Sequence, residues 1–139
     1  MKEIMFIIEE TNTSIESKIT ELFDGLQLDI NSNEYSILET IYNNEGFYQS
    51  KLSKIILKER SMITRSLNKL EKLGFIERLV GLNKNRLVKR VFITQKGKNV
   101  IEDNQKKLTG IFNNFLSVVS DDEFANLVKN LKLLKDSLK

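Results

Sequence analysis

Ser61, Thr64, Arg65 and Asn68 recur at three- and four-residue spacing in the stretch "SMITRSLNKLEKLGFIERL" and so fall on one side of a helix. These are side-chain types that read DNA bases: Arg forks onto guanine, Asn can pair with adenine, and Thr offers a methyl to thymine or a hydroxyl to phosphate. Lys69 and Lys72 extend the row with long cations, and Lys51 and Lys54 supply two more upstream. These four suit phosphate contacts, which give affinity and register but carry no sequence information. The other side of the same helix holds the apolar stripe Ile63, Leu67 and Leu70, and Glu71 is the sole acid of the polar face.

Competing chemistries are excluded by what the chain lacks. With no Cys there is no disulfide, thiolate nucleophile or thiol switch, and with no His either, the common nucleophile–base pairs and nitrogen- or sulfur-ligated zinc sites cannot be built. A Ser–Lys dyad is formally available, but nothing singles one out. The chain therefore reads as a non-enzyme without a cofactor or metal. No apolar run is long enough to span a membrane, and "MKEIMFIIEETN" turns acidic too early for an export signal, so the expected address is cytoplasmic.

Charge is distributed unevenly. The formal net charge is only +3, yet residues 51 to 98 carry nine Lys and five Arg against three Glu, a local +11 that leaves −8 for the rest. A basic block flanked by acidic arms suits a polyanion partner once it is placed on structure.

The elements that must position these residues follow from periodicity. Ile4, Ile7, Ile8, Ile15, Ile19, Leu22 and Phe23 predict an amphipathic helix from 3 to about 23, fraying near Thr11 to Ser14. Asn31 with Glu34 is a capping-box pattern that opens a second helix near 32–44, closed before Gly46. "QSKLSKIILKE" predicts a short third helix with Leu52, Ile55 and Ile56 inward, and a turn at Lys58 to Arg60 leads to the basic helix, about 61–73. Gly74 stops it. "FIERLV" and "KRVFIT" then alternate as strands around the tip "GLNKNR", where Asn83 and Asn85 are the candidates for positive φ. A helix capped by Thr94 runs to about Ser120, and Ser120 with Glu123 opens a last one.

Two short helices joined by a tight turn and followed by a hairpin make a winged helix-turn-helix, which lays its second helix in the major groove. The expected fold is mainly α with a small β-hairpin wing. It forms a single domain, 1–139, with a lobe of about 30–94 and helical ends of about 1–27 and 95–139. On that frame Ser61, Thr64, Arg65 and Asn68 meet bases, while Lys51, Lys54, Lys69 and Lys72 meet phosphates. The wing, about 77–94, brings Lys84 and Arg86 toward the neighbouring minor groove.

"NSNEYSIL", "SKLSKIILKERSMITRSLNKLEKLGFIER" and "VFITQKG" resemble the MarR-type winged-helix transcription regulators over nearly the whole chain. The resemblance implies a homodimer with a helical base built from both chain ends, a ligand crevice between base and lobe, and repression at a palindromic promoter site. Where the family's wing carries Asp-x-Arg, this chain has Asn85 and Leu87 with Arg86 between them.

Dimerisation also follows from the residues, because the apolar faces at the two ends exceed what one small lobe can cover. Twofold symmetry would set the recognition helices about 34 Å apart, on one face of a near-palindromic duplex. The missing Cys and His remove peroxide and zinc sensing, which leaves a small apolar or aromatic effector or none. Phe23, Tyr35, Phe47 and Phe112 are candidates to line its crevice, against their plainer reading as core. The rival function is a winged-helix adaptor that binds protein without sequence-specific DNA binding; a third reading is nonspecific DNA coating. Salt separates the first rival and scrambled DNA the second.

Overall fold

Among the described residues, 1–56 and 58–139 of the computed structural model, six helices and one hairpin follow in chain order. They are α1 (Lys2–Leu26), α2 (Ser32–Asn43), α3 (Gln49–Ile55), α4 (Arg60–Lys72), β1 (Ile76–Asn83), β2 (Arg86–Ile93), α5 (Gln95–Leu116) and α6 (Asp121–Ser137). The chain divides into two compact units, Met1–Ile101 and Glu102–Lys139.

In the first unit, both partners of the α2 capping box are present: Glu34 N donates to Asn31 Oδ1 and Asn31 N to Glu34 Oε2, each at 2.9 Å. This satisfies amides that the first helical turn leaves free and fixes where α2 begins. The core of the unit is apolar and nearly dry, with Ile37, Leu38, Ile41, Leu52, Ile63, Leu67 and Leu70 at 0–1% exposure. The stripe read from the sequence on α4 is thus the face that packs.

α4 ends in a Schellman motif. Gly74, at φ 80, donates to Glu71 O while Phe75 N reaches back to Leu70 O, which frees the chain to turn directly into β1. The hairpin pairs Ile76 with Ile93 through to Asn83 with Arg86, closing on the two-residue turn Lys84–Asn85. Both turn residues have positive φ, 50 and 64, as a two-residue turn matched to strand twist requires. β2 is flanked on its other side by Tyr48, which forms a single bridge to Arg90. Thr94 then caps α5, accepting from Gly97 N at 3.1 Å and donating to Gly74 O at 2.6 Å.

In the second unit, Ser120 and Glu123 form the capping box that opens α6. No α6 side chain is buried, and Phe124, Leu127, Leu131 and Leu134 are all at least 37% exposed.

Four sequence expectations need correction. α1 does not fray at Thr11 to Ser14, because the Thr13 hydroxyl donates to Glu9 O within an unbroken helix. Ile55 faces outward at 48% exposure, since α3 ends there and the buried positions are Leu52 and Ile56. The positive-φ pair is Lys84–Asn85 rather than Asn83 and Asn85, because pairing continues to Asn83 and most of "GLNKNR" is strand. α5 stops at Leu116, and Ser117 to Val119 form a turn before the α6 cap.

Candidate nucleic-acid interface

α4 presents Ser61, Thr64, Arg65, Asn68, Lys69 and Lys72 as exposed side chains, opposite the buried Ile63, Leu67 and Leu70. The burial pattern alone therefore keeps the polar row out of the core. What each side chain can offer a duplex depends on what already holds it.

Arg65 has no ion-pair partner among the described residues, and neither do Lys54, Lys72, Lys84 and Arg86. Thr64 is partly committed: its hydroxyl hydrogen goes to Arg60 O at 3.0 Å, leaving the methyl and the oxygen lone pairs outward. It lies on a cleft of about 360 Å³ between the start of α3, the start of α4 and β2, whose lining includes Ser50, Ser53, Arg60 and Lys89. Lys51 sits over the rings of Phe47 and Tyr48, with Nζ 5.8 and 5.7 Å from their centroids.

Lys69 has a second role that the sequence did not reveal. Its ammonium bonds both Glu34 oxygens, at 2.9 and 3.1 Å, and so joins α4 to the capping box of α2. Glu34 is buried, whereas the Lys69 side chain is about half exposed. Lys69→Ala should strand a mostly buried carboxylate and cost about 1–2 kcal/mol, between the values for surface and buried pairs. A lowered melting temperature with an unchanged salt slope of DNA binding would show this structural role.

The α4 face is joined to the wing by a network that the sequence reasoning missed. Arg78 on β1 donates from Nε to Glu71 Oε2 at 2.9 Å and from Nη2 to Glu71 Oε1 at 3.1 Å, a two-bond clasp. Its Nη2 also donates to Asn68 Oδ1 at 2.7 Å, and Nη1 makes a longer 3.5 Å contact with Gln49 Oε1 on α3. Hydrogen bonding from the Arg78 side chain holds the Glu71 carboxyl below the usual carboxylate range; burial opposes it, and the Arg78 charge adds to the lowering. The lone acid on a cationic face was the available signal. Arg90 similarly pins β2, donating to the Tyr48 hydroxyl at 3.1 Å and stacking 4.8 Å above its ring.

At the wing tip, Arg86 pairs with Asn83 beside the turn, and Leu82 pairs with Leu87 one step farther from it. Both leucines are largely exposed, at 74% and 78%, and by strand alternation they lie on the face opposite Arg86. The aromatic candidates differ in their local surroundings. Phe23 and Tyr35 are buried and pack edge to face at 5.3 Å, Phe47 lies beneath Lys51, and Phe112 belongs to the second unit, where it meets Phe115. Burial, then Glu39, pushes the Tyr35 hydroxyl up to about 12.

Residues 30–88 match the family model described as "MarR family". Over 73 residues the chain is 40% identical to YybA of Bacillus subtilis (strain 168), described as an uncharacterized HTH-type transcriptional regulator; the match covers 52% of this chain and 48% of that one. The chain thus spans about half the length of that relative. It is 29% identical over 102 residues to the HTH-type transcriptional regulator BilQ of Clostridioides difficile (strain CD3), covering 73% of this chain and 68% of the relative. Among solved structures, the S. aureus MepR–DNA complex superposes with a TM-score of 0.83 at 20% identity over 96% of each chain, a likeness of fold.

Proposed function

We propose that the chain is a winged-helix transcription regulator of the MarR type, whose family model matches residues 30–88, and that it binds a near-palindromic promoter site as a homodimer and acts there as a cytoplasmic repressor. The observation that carries this reading is the α4 face. It offers unpaired Arg65 with Thr64 and Asn68 on an exposed helix side, next to a wing whose cations Lys84 and Arg86 also lack ion-pair partners among the described residues.

In this reading α4 enters the major groove. Ser61, Thr64, Arg65 and Asn68 face base edges, while Lys51, Lys54 and Lys72 follow the phosphates. Lys69 contributes there only to the extent that it leaves Glu34. Lys84 and Arg86 at the turn approach the adjacent minor groove. Dimerisation is supported by the uncovered apolar side chains at both ends: Ile4, Met5, Phe6 and Ile7 on α1 are at least 52% exposed, and Leu127, Leu131 and Leu134 on α6 at least 43%. A second copy of the chain is the occupant that twofold DNA asks for. Any effector would be small and apolar or aromatic.

Selecting bound sites from random duplex DNA tests the reading, with a symmetric consensus as the expected product. Retention of all sequences alike would instead favour nonspecific coating. Arg65→Ala should weaken the selected site by ~1–3 kcal/mol and relax preference at one base pair per half-site, whereas Lys54→Ala should weaken selected and scrambled DNA equally. Competition binding with single-base-pair variants distinguishes the two. If both substitutions act alike on specific and random DNA, Arg65 does not read a base.

A further inference from the structure

We infer that Arg78 is a specificity-setting positioning residue: by holding the carboxamide oxygen of Asn68, it leaves the amino group as the end of that side chain that meets a base. The inference rests on the DNA-binding reading above and concerns which edge pattern Asn68 selects.

An isolated asparagine has no preferred sense, because oxygen and amino group exchange by a half-turn about χ2. Here the sense is set by chemistry, since a guanidinium has only donors and the atom facing Arg78 Nη2 at 2.7 Å must be the oxygen. Turning the amide would oppose donor to donor. Nor can Arg78 move aside freely: Glu71 clasps it through two hydrogen bonds, and its side chain is only 11% exposed. Two residues, Glu71 on α4 and Arg78 on β1, thus fix one amide, and the two N–H groups of Asn68 have no partner among the described residues.

The consequence is a donor where a free asparagine would be a donor and an acceptor together. In the major groove guanine presents two acceptors, O6 and N7, and thymine presents O4, whereas adenine sets its N7 acceptor beside the N6 donor and cytosine offers only the N4 donor. The usual two-bond pairing with adenine would require Asn68 Oδ1 to accept from N6 beside a cation already donating to it. A locked Asn68 should therefore prefer a keto base, guanine or thymine, over an amino base at its position.

Site selection with the 139-residue chain tests this. The position read by Asn68 is the one whose preference disappears in Asn68→Ala. Wild type should take guanine or thymine there by about tenfold, as a single-base-pair discrimination. Arg78→Met, which keeps the aliphatic stem and removes the donor, should reduce this to within about twofold or shift it to adenine, with the Arg65-dependent position unchanged. Glu71→Gln weakens the clasp without emptying the β1 site and should move the same position in the same direction should Arg78→Met fail to fold. Asn68→Asp keeps an acceptor for Arg78 but loses both N–H groups, so the keto preference should vanish while the melting temperature holds. Adenine at the Asn68 position in wild type, no position responding to Asn68→Ala, or a preference unchanged in the folded Arg78 and Glu71 variants would each overturn the inference and leave the parent reading standing. A wild-type chain that selects no motif would overturn both.

Discussion

Between 50 and 200 mM salt, the affinity of the chain for its selected duplex is expected to fall by ~10³-fold or more. The size follows from counterion release, in which each neutralised phosphate contributes about −0.9 to the slope of log K against log salt. The +11 of residues 51 to 98 overstates the cations available. Lys69 is spent on Glu34, Arg78 on Glu71 and Arg90 on Tyr48, and Lys96 reaches Leu73 O at 2.9 Å. Among the cations without an ion pair, Lys54, Arg65, Lys72, Lys84 and Arg86 are those this reading brings to the duplex, and doubling them in a dimer makes roughly six to ten phosphate contacts a reasonable count. Fluorescence anisotropy across a salt series measures the slope directly. Lys54→Ala removes two charges per dimer and should flatten it by about 2, whereas Lys69→Ala should leave it unchanged. A docking surface for protein has few counterions to release, so binding indifferent to salt would defeat the DNA reading and favour the adaptor.

Legibility in the sequence tracked how far apart the interacting residues lie. The capping boxes at Asn31–Glu34 and Ser120–Glu123 could be read because both halves sit three residues apart. The buried stripe Ile63, Leu67, Leu70 could be read because helix periodicity alone separates inside from outside. That same periodicity marked Lys69 as merely outward, and its partner Glu34 lies 35 positions away, beyond any local pattern. Type and spacing mark Asn68 only as a candidate reader, and the guanidinium that holds its oxygen comes from β1, ten residues on. The hairpin shows the same limit at short range. Turn-forming residues were visible, yet which two took positive φ was decided by pairing that runs to Asn83 and Arg86, and no composition rule supplies that register.

Gly97→Ala should destabilise the chain by about 3 kcal/mol or more, lowering the melting temperature by roughly 10 °C. The reason is space rather than backbone conformation, because Gly97 lies in the first turn of α5 and is not among the positive-φ glycines. An added Cβ would stand 2.2 Å from Phe75 O and 2.7 Å from Ile93 Cγ1. Neither neighbour can yield cheaply. Phe75 O accepts from Thr94 N at 3.0 Å, Phe75 N closes the end of α4 on Leu70 O, and Ile93 pairs with Ile76 at the root of the wing. Relieving the contact would push α5 away from the strand root and pull on the Thr94 hydroxyl, which holds Gly74 O at 2.6 Å. Gly110, in the same helix, has nothing within 4 Å of the added carbon, so Gly110→Ala should gain helix propensity and stabilise by about 0.5–1 kcal/mol. Opposite signs in thermal melts of the two variants would locate the constraint in the close approach of Gly97 to Phe75 and Ile93. Because that approach joins the end of α4 to the base of the wing, on the proposed DNA-binding reading a folded Gly97→Ala chain should also bind its selected duplex less tightly at every base pair rather than at one, since it displaces the α4 face as a whole.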